Sequence, residues 1–295
     1  MSKQDDGAME GWANVDFDEI ELGDRIGGGG VGIIYKGWFK DEQVALKTLF
    51  DARVSGDLKQ EYMDELLVMS KVSHSNIVRF LGASMTPPNL CFIMELCETS
   101  MFNLLHVDKV DFSMQEKVSM LVDVGSAMEY LHALSPSVIH RDLKSHNVLR
   151  AHNGVYKVCD FGLVKVKHTT AGTPAYMAPE LIDNKPYNKS VDVFAFGVLL
   201  WEVVTTDIPC YGLDINEIRS RVLSNTRPRI PSFGFTPKLI SLLERAWSQV
   251  PDNRPLFPDV VDELLQIERE LPDTKYTENV KDHCGDALDG ILGHK

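Results

Sequence analysis

The sequence predicts an α+β fold in two lobes, a small β-rich lobe carrying one helix followed by a larger helical lobe. Three observations carry this expectation. Short runs of β-branched and aromatic residues are concentrated before Glu95. From Ser113 onward apolar residues recur at helical spacing. Val191 to Val204 is apolar nearly all round and too long for an ordinary strand, so it reads as a fully buried helix.

Taken in order, residues 1–16 are acidic and Gly-containing with no sustained apolar period, and are expected to be a loose leader. The first lobe spans 17–95. Its strand-like runs are Glu21 to Ile26, Ile33 to Phe39 and Gln43 to Leu49, separated by a glycine cluster and by Asp41-Glu42, which predicts an antiparallel meander. Asp57 followed by Gln60 resembles a capping box, and Leu58, Tyr62, Leu66 and Met69 then repeat at helical spacing. Ile77 to Gly82 and Leu90 to Glu95 complete a small sheet. The second lobe spans 96–271, joined through Glu95 to Thr99. Ser113 with Glu116 forms a capping box that opens a helix with Val118, Leu121, Val124, Met128 and Leu131 on its apolar face, ending before Pro136. Leu239 to Trp247 and Pro258 to Leu271 supply the last helices. Residues 272–295 are a polar tail to which no fold is assigned.

Bulk properties narrow the function classes. A chain of 295 residues with 44% hydrophobic content can bury one large core or divide into two lobes. Its formal net charge of -13 gives no general affinity for nucleic acid or an anionic membrane, since both reward clustered Lys and Arg. The longest apolar run, Val193 to Trp201, is about half the roughly 20 residues that span a bilayer. No membrane span is expected. The N-terminus lacks an apolar signal core, and the five cysteines show no CxxC spacing, so the expected location is cytoplasmic, in a reducing compartment.

Gly27, Gly29 and Gly32 form G-x-G-x-x-G between two predicted strands, where missing side chains let backbone N–H groups approach phosphate oxygens. A dinucleotide-binding site would need these glycines to open a helix, but Ile33, Ile34 and Tyr35 continue as strand. A flexible hairpin without a ligand is the plainer alternative. In VALK, Lys47 lies on an alternating strand, where a fixed cation could pair with phosphates or could simply face water. Glu61 and Glu65 lie four apart on one face of the predicted helix, and either could reach Lys47.

The strings IHRDLKSHNVL (Ile139 to Leu149), KVCDFG (Lys157 to Gly162) and GTPAYMAPE (Gly172 to Glu180) follow in order. Together with the glycine loop and VALK they resemble the protein kinases over about Trp12 to Leu271, which implies the bilobal protein kinase fold. HRDLKS-x-N, Trp12, Gly37-Trp38 and SVDVFAFGVLLWEV are similar to the tyrosine-kinase-like group, near Raf and mixed-lineage kinases. The resemblance implies a serine/threonine protein kinase that uses ATP and Mg²⁺ on protein substrates in intracellular signalling. Tyrosine is the minority acceptor and a nucleotide-binding scaffold the alternative class.

By the same resemblance Asp142 is the catalytic base, Lys144 neutralises charge on the moving phosphoryl group, and Asn147 and Asp160 hold Mg²⁺. Lys47, held by Glu65, would position the α and β phosphates. Glu65 is preferred to Glu61 because it stands nine residues before His74, a spacing kinases show. Nucleotide contacts are assigned to Ile26, Gly27, Gly29, Gly32, Ile34, Ala45, Lys47, Glu95, Cys97 and Leu149, with Met94 limiting pocket depth. Lysine two residues after Asp142 and Thr173 in GTPAYMAPE point to serine and threonine. Thr169 and Thr170 are candidate sites for an upstream kinase or autophosphorylation. Asp192, read as the one charge inside its apolar helix, is expected to accept backbone hydrogen bonds from His140-Arg141, and Glu180 to pair with Arg254. Met69, Phe80, His140 and Phe161 are expected to stack between the lobes. Cys159 could present a thiol to the ATP site or be a small buried apolar residue.

Overall fold

The computed structural model describes residues 14–29, 32–49, 66–85, 90–161, 174–232 and 234–272. Strands β1 (Ile20–Gly29), β2 (Gly32–Phe39), β3 (Glu42–Leu49), β4 (Phe80–Ser84) and β5 (Cys91–Glu95) form an antiparallel sheet in the order β1-β2-β3-β5-β4. The β2–β3 turn places Lys40 and Asp41 in the left-handed region, at φ 49° and 64°, the geometry whose twist matches a two-residue hairpin. β1 carries register shifts around Arg25, and Gly37 sits opposite them. A Cβ on Gly37 would come 2.4 Å from the Glu21 carbonyl oxygen, so only glycine lets these strands approach.

The sheet's two faces separate cleanly because side chains alternate with period two. Val44, Leu46, Cys91 and Ile93 form an outer apolar cluster with Val15, Ile20 and Phe39. Phe92 and Met94 point the other way and join the main core. Lys47 pairs with Phe92, Ala45 with Met94, and Ile34 with Lys47. Lys47, Ala45 and Ile34 therefore lie on the face turned toward the helical lobe.

Two expectations need correction here. The leader was placed at 1–16, but Asn14 bridges Ala83 and buried Val15 donates its N–H to the Ala83 carbonyl at 2.9 Å. The apolar Val15 covers the outer cluster, so the fold begins earlier. The run Ile77 to Gly82 does not form one strand. β4 starts at Phe80, while Ile77 makes a parallel bridge to Val158, and Val78 donates to the Val158 carbonyl at 3.0 Å. Both residues are buried against the second lobe, a partner that strand propensity does not distinguish from a sheet. Of the predicted helix after β3, residues 66–69 are helical, with Leu66 and Met69 buried. Asp57, Leu58, Gln60, Glu61, Tyr62 and Glu65 lie outside the described residues.

The second lobe is built on α1 (Met114–Ala133), α2 (Pro179–Ile182), α3 (Ser190–Thr205), α4 (Ile215–Leu223), α5 (Pro237–Ala246) and α6 (Phe257–Glu270). The capping box predicted at Ser113 and Glu116 is present. Every residue of α3 from Val191 to Val204 is buried. A small sheet, β6 (Thr99–Ser100), β7 (Val148–Arg150) and β8 (Tyr156–Val158), lies beneath the junction of the lobes. α4 was not among the helices expected from the sequence, although Asp214 and Glu217 form a second capping box there.

α3 packs on the end of α5 so closely that a Cβ on Gly197 would lie 2.9 Å from the Trp247 backbone nitrogen and 3.1 Å from the Ala246 Cβ. Alanine gains about 1 kcal/mol of helix propensity over glycine, and overpacking against a backbone atom costs about 1–3 kcal/mol. We expect Gly197→Ala to lose up to about 2 kcal/mol in urea unfolding. A gain in midpoint would show that the two helices separate freely.

Candidate active site

Between the lobes, Lys47 on β3 is only 5% exposed. Its Nζ donates to Asp160 Oδ1 at 2.7 Å. A lysine taken this far out of water requires an acceptor. The alternative of a solvated strand lysine is thereby removed. Asp160 follows β8 with φ 58°, a left-handed conformation that non-glycine residues adopt at some cost and mostly at functional sites.

The catalytic-loop candidates lie on the segment between α1 and β7. Lys144 Nζ donates to both Asp142 carboxylate oxygens at 3.0 Å. Asn147 Nδ2 donates to the Asp142 carbonyl at 2.7 Å and to Asp142 Oδ2 at 3.1 Å. These bonds turn the Asn147 amide so that its oxygen is the atom left to act as a ligand. The Cys159 N–H donates to the Asn147 carbonyl at 2.9 Å, which ties the loop to the residue preceding Asp160. The cleft thus combines an amide oxygen and a carboxylate, hard donors of the kind Mg²⁺ takes alongside phosphate oxygens and water. Among the described residues no group of three or more His, Cys, Asp or Glu is placed to hold a metal ion.

Buried Asp192 on α3 holds this loop from below. It accepts the His140 N–H at 2.9 Å and the Arg141 N–H at 2.8 Å, as expected from the sequence. Arg141 has φ 66°, so Asp192 bonds the backbone where it is least relaxed. The His132 imidazole, 2.8 Å from Asp192 Oδ2, was missed. Asp192 is not the one charge inside this helix, as its sequence suggested, because Glu202 on α3 is equally buried. Its two oxygens meet Ser145, Tyr176 and His106. The signal was present as a glutamate inside LWEVV, where burial of the flanking residues demands partners for it.

Nucleotide-contact candidates take definite places. Gly27 pairs with Ile34 and Gly29 with Gly32 along the β1–β2 hairpin, while Ile26 is exposed. Ile34, Ala45, Cys97 and Leu149 are half-buried. Met94 is buried, paired with Ala45 on one side and Phe80 on the other. The Glu95 N–H is already given to the Arg79 carbonyl at 2.9 Å, and its carboxylate accepts from Lys157 at 2.7 Å. Met69, His140 and Phe161 are buried, with Phe80 packed against the same core. Glu61, Glu65, Thr169, Thr170 and Thr173 lie outside the described residues.

Burial, with the Asp160 charge second, pushes the Cys159 thiol well above its usual range. At neutral pH it is held as the thiol, and the half-buried residue packs against the main core, so the small-apolar reading fits better than a reactive one. We expect an iodoacetamide probe at pH 7.5 to leave Cys159 unmodified in the folded protein by mass spectrometry, and to modify it after denaturation. Rapid native labelling would contradict this.

Glu180 and Arg254 form a buried bidentate pair, with Nη2 donating to Oε2 at 2.9 Å. Among the described residues no helix is long and apolar enough to cross a membrane.

Comparison with known proteins agrees with this geometry. The family model for protein tyrosine and serine/threonine kinases matches residues 20–264. The serine/threonine-protein kinase STY46 of Arabidopsis thaliana is 37% identical over 265 residues, covering 87% of this chain and 46% of the relative. The serine/threonine-protein kinase CTR1 of the same plant is 34% identical over 265 residues, covering 86% and 32%. The probable serine/threonine-protein kinase drkB of Dictyostelium discoideum is 33% identical over 262 residues, covering 86% and 38%. The chain spans less than half the length of these relatives. With its motifs gathered at one cleft and the family model matched across both lobes, the chain belongs to the protein tyrosine and serine/threonine kinase family.

Proposed function

We propose that this chain transfers the γ-phosphoryl group of Mg-ATP to serine and threonine hydroxyls of protein substrates in intracellular signalling. The observation that carries this reading is the paired arrangement at the cleft, Lys47 on Asp160 from one side and Asp142 with Lys144 and Asn147 from the other. The relatives' names, all serine/threonine kinases, support the choice of acceptor.

In this reading Asp142 orients the substrate hydroxyl and takes its proton, and Lys144 offsets charge on the transferring group. Lys47, with Glu65 as partner, orients the α and β phosphates under the loop of Gly27, Gly29 and Gly32. Ile26, Ile34, Ala45 and Leu149 enclose the adenine. Because the Glu95 N–H is already used, Glu95 would offer adenine its carbonyl, leaving the N–H role to Cys97. Asn147 and Asp160 would hold Mg²⁺, which when bound neutralises phosphate charge. Placement and electrostatics then supply the acceleration. Thr169 and Thr170 would be phosphorylated by an upstream kinase or by the chain itself, and the location would be cytoplasmic.

The test is transfer of labelled γ-phosphate from Mg-ATP to a generic basic protein, followed by phosphoamino-acid analysis. Label on serine and threonine is expected. Label on tyrosine alone would overturn the acceptor assignment. ATP binding without transfer, even after phosphorylation of Thr169 and Thr170, would favour a scaffold.

A further inference from the structure

A groove of about 730 Å³ opens on the second lobe, and none of its lining residues is among the nucleotide, metal or catalytic candidates. It is bounded by the stretch after the lobe junction, by α1, by the C-terminal end of α3 with the loop that follows, and by Pro228-Arg229. Its charges are Lys109, Lys117 and Arg229 against Asp111 and Asp207, an excess of cations on a protein whose formal net charge is -13. Asp111 and Asp207 are exposed and therefore screened, whereas Lys117 is half-buried. Lys117 Nζ donates to the Val204 carbonyl at 3.2 Å. Among the described residues neither it nor Lys109 nor Arg229 forms an ion pair. Burial lowers the Lys117 pKa from its usual value, with Asp111 opposing the shift. The ammonium has given up water and, with three hydrogens, still has donors to spare.

The groove also carries apolar surface in water, since Tyr211 is 82% exposed and Val110 39%. Tyr211 stands between Cys210 at φ 58° and Gly212 at φ 81°, and Lys109 and Thr206 on the same groove have φ 51° and 57°. Left-handed backbone costs a non-glycine residue energy and persists only where the surrounding fold over-determines it. Here it presents a large ring to solvent. Trp201 Nε1 donates to the Arg229 carbonyl at 2.9 Å, which fixes the backbone that carries the third cation. We propose that this groove docks an acidic segment of a partner protein, with an apolar side chain of that segment on Tyr211 and Val110 and its carboxylates on Lys117, Lys109 and Arg229. A carboxylate brought to Lys117 replaces the water that burial removed, and acts where the effective dielectric is lower than at an exposed pair. A peptide segment satisfies both halves of the groove. An inorganic anion would leave Tyr211 and Val110 in water.

The experiment is fluorescence anisotropy on the full chain with fluorescein-labelled peptides in which glutamate alternates with leucine, beside versions carrying glutamine or lysine for glutamate and alanine for leucine. The glutamate-leucine peptides should bind about tenfold or more tighter than each of the other versions, and less tightly as salt rises. Lys117→Met, Arg229→Ala and Tyr211→Ala should each weaken that binding about tenfold, the loss typical of an anchor residue. Arg229 and Tyr211 are exposed, so their variants should keep the wild-type thermal midpoint and keep the test decisive if Lys117→Met does not fold. Equal binding of acidic and basic peptides would overturn the proposal, as would acidic peptides held unchanged by Tyr211→Ala and Arg229→Ala. No binding of any acidic peptide would also overturn it. Inorganic phosphate bound at Lys117 without peptide binding would assign the groove to a small anion instead, and self-association lost in Tyr211→Ala would assign it to a second copy of this chain. Both outcomes contradict the proposal, and neither bears on phosphoryl transfer at the cleft.

Discussion

Asp142→Ala should lower kcat for phosphoryl transfer by about 10²- to 10⁴-fold, the range general-base removal typically covers. The KM for ATP should change little, because Asp142 faces the hydroxyl rather than the nucleotide in the proposed reading. Removing the carboxylate also takes both acceptor oxygens from Lys144 and one acceptor from Asn147. Asn147 keeps its 2.7 Å bond to the backbone carbonyl of residue 142, so the loop should stay folded. The check is a single-turnover assay beside the wild type, with nucleotide affinity measured on both. Retention of more than about a tenth of the wild-type rate would mean that Asp142 is not the base.

Arg254→Met should destabilise the protein by about 3–5 kcal/mol, the usual cost of stripping one partner from a buried ion pair. Arg254 donates to both oxygens of Glu180 and also serves the Ser248 and Ser190 carbonyls at 2.9 and 3.1 Å. Methionine fills similar apolar volume, so most of the loss would come from the stranded carboxylate and carbonyls. That is a large share of the roughly 5–15 kcal/mol by which domains are stable. Urea unfolding measures it. Replacing Glu180 by leucine as well should recover part of the loss, since an apolar pair removes the uncompensated charge. An unchanged midpoint in Arg254→Met would show that the pair contributes nothing.

The family resemblance was legible because its residues are adjacent in sequence. HRDLKSHN, CDFG and APE are contiguous strings, and a phosphoryl-transfer site needs the groups within each of them at short spacing on its own loop. Capping boxes and apolar periodicity likewise placed α1 and α3 within about a residue or two, the usual scatter of helix ends. The weaker readings involved competition between partners. Ile77 and Val78 have strand composition but are buried by the other lobe. Val15 sits in an acidic leader yet caps the outer cluster of the sheet.

By itself, then, the sequence determined the two-lobe α+β class, the order of most elements and the identity of the motif residues. All of these follow from local propensity, periodicity and contiguous strings. Only the tertiary structure decided which distant groups meet: His132 on Asp192, Val158 on Asn76 and Val78, and Ser145, Tyr176 and His106 on Glu202. A carboxylate in an apolar run announces that it needs donors. Which donors reach it depends on how the helices and loops pack, because those hydrogen bonds span dozens of residues and carry no periodic trace in the chain.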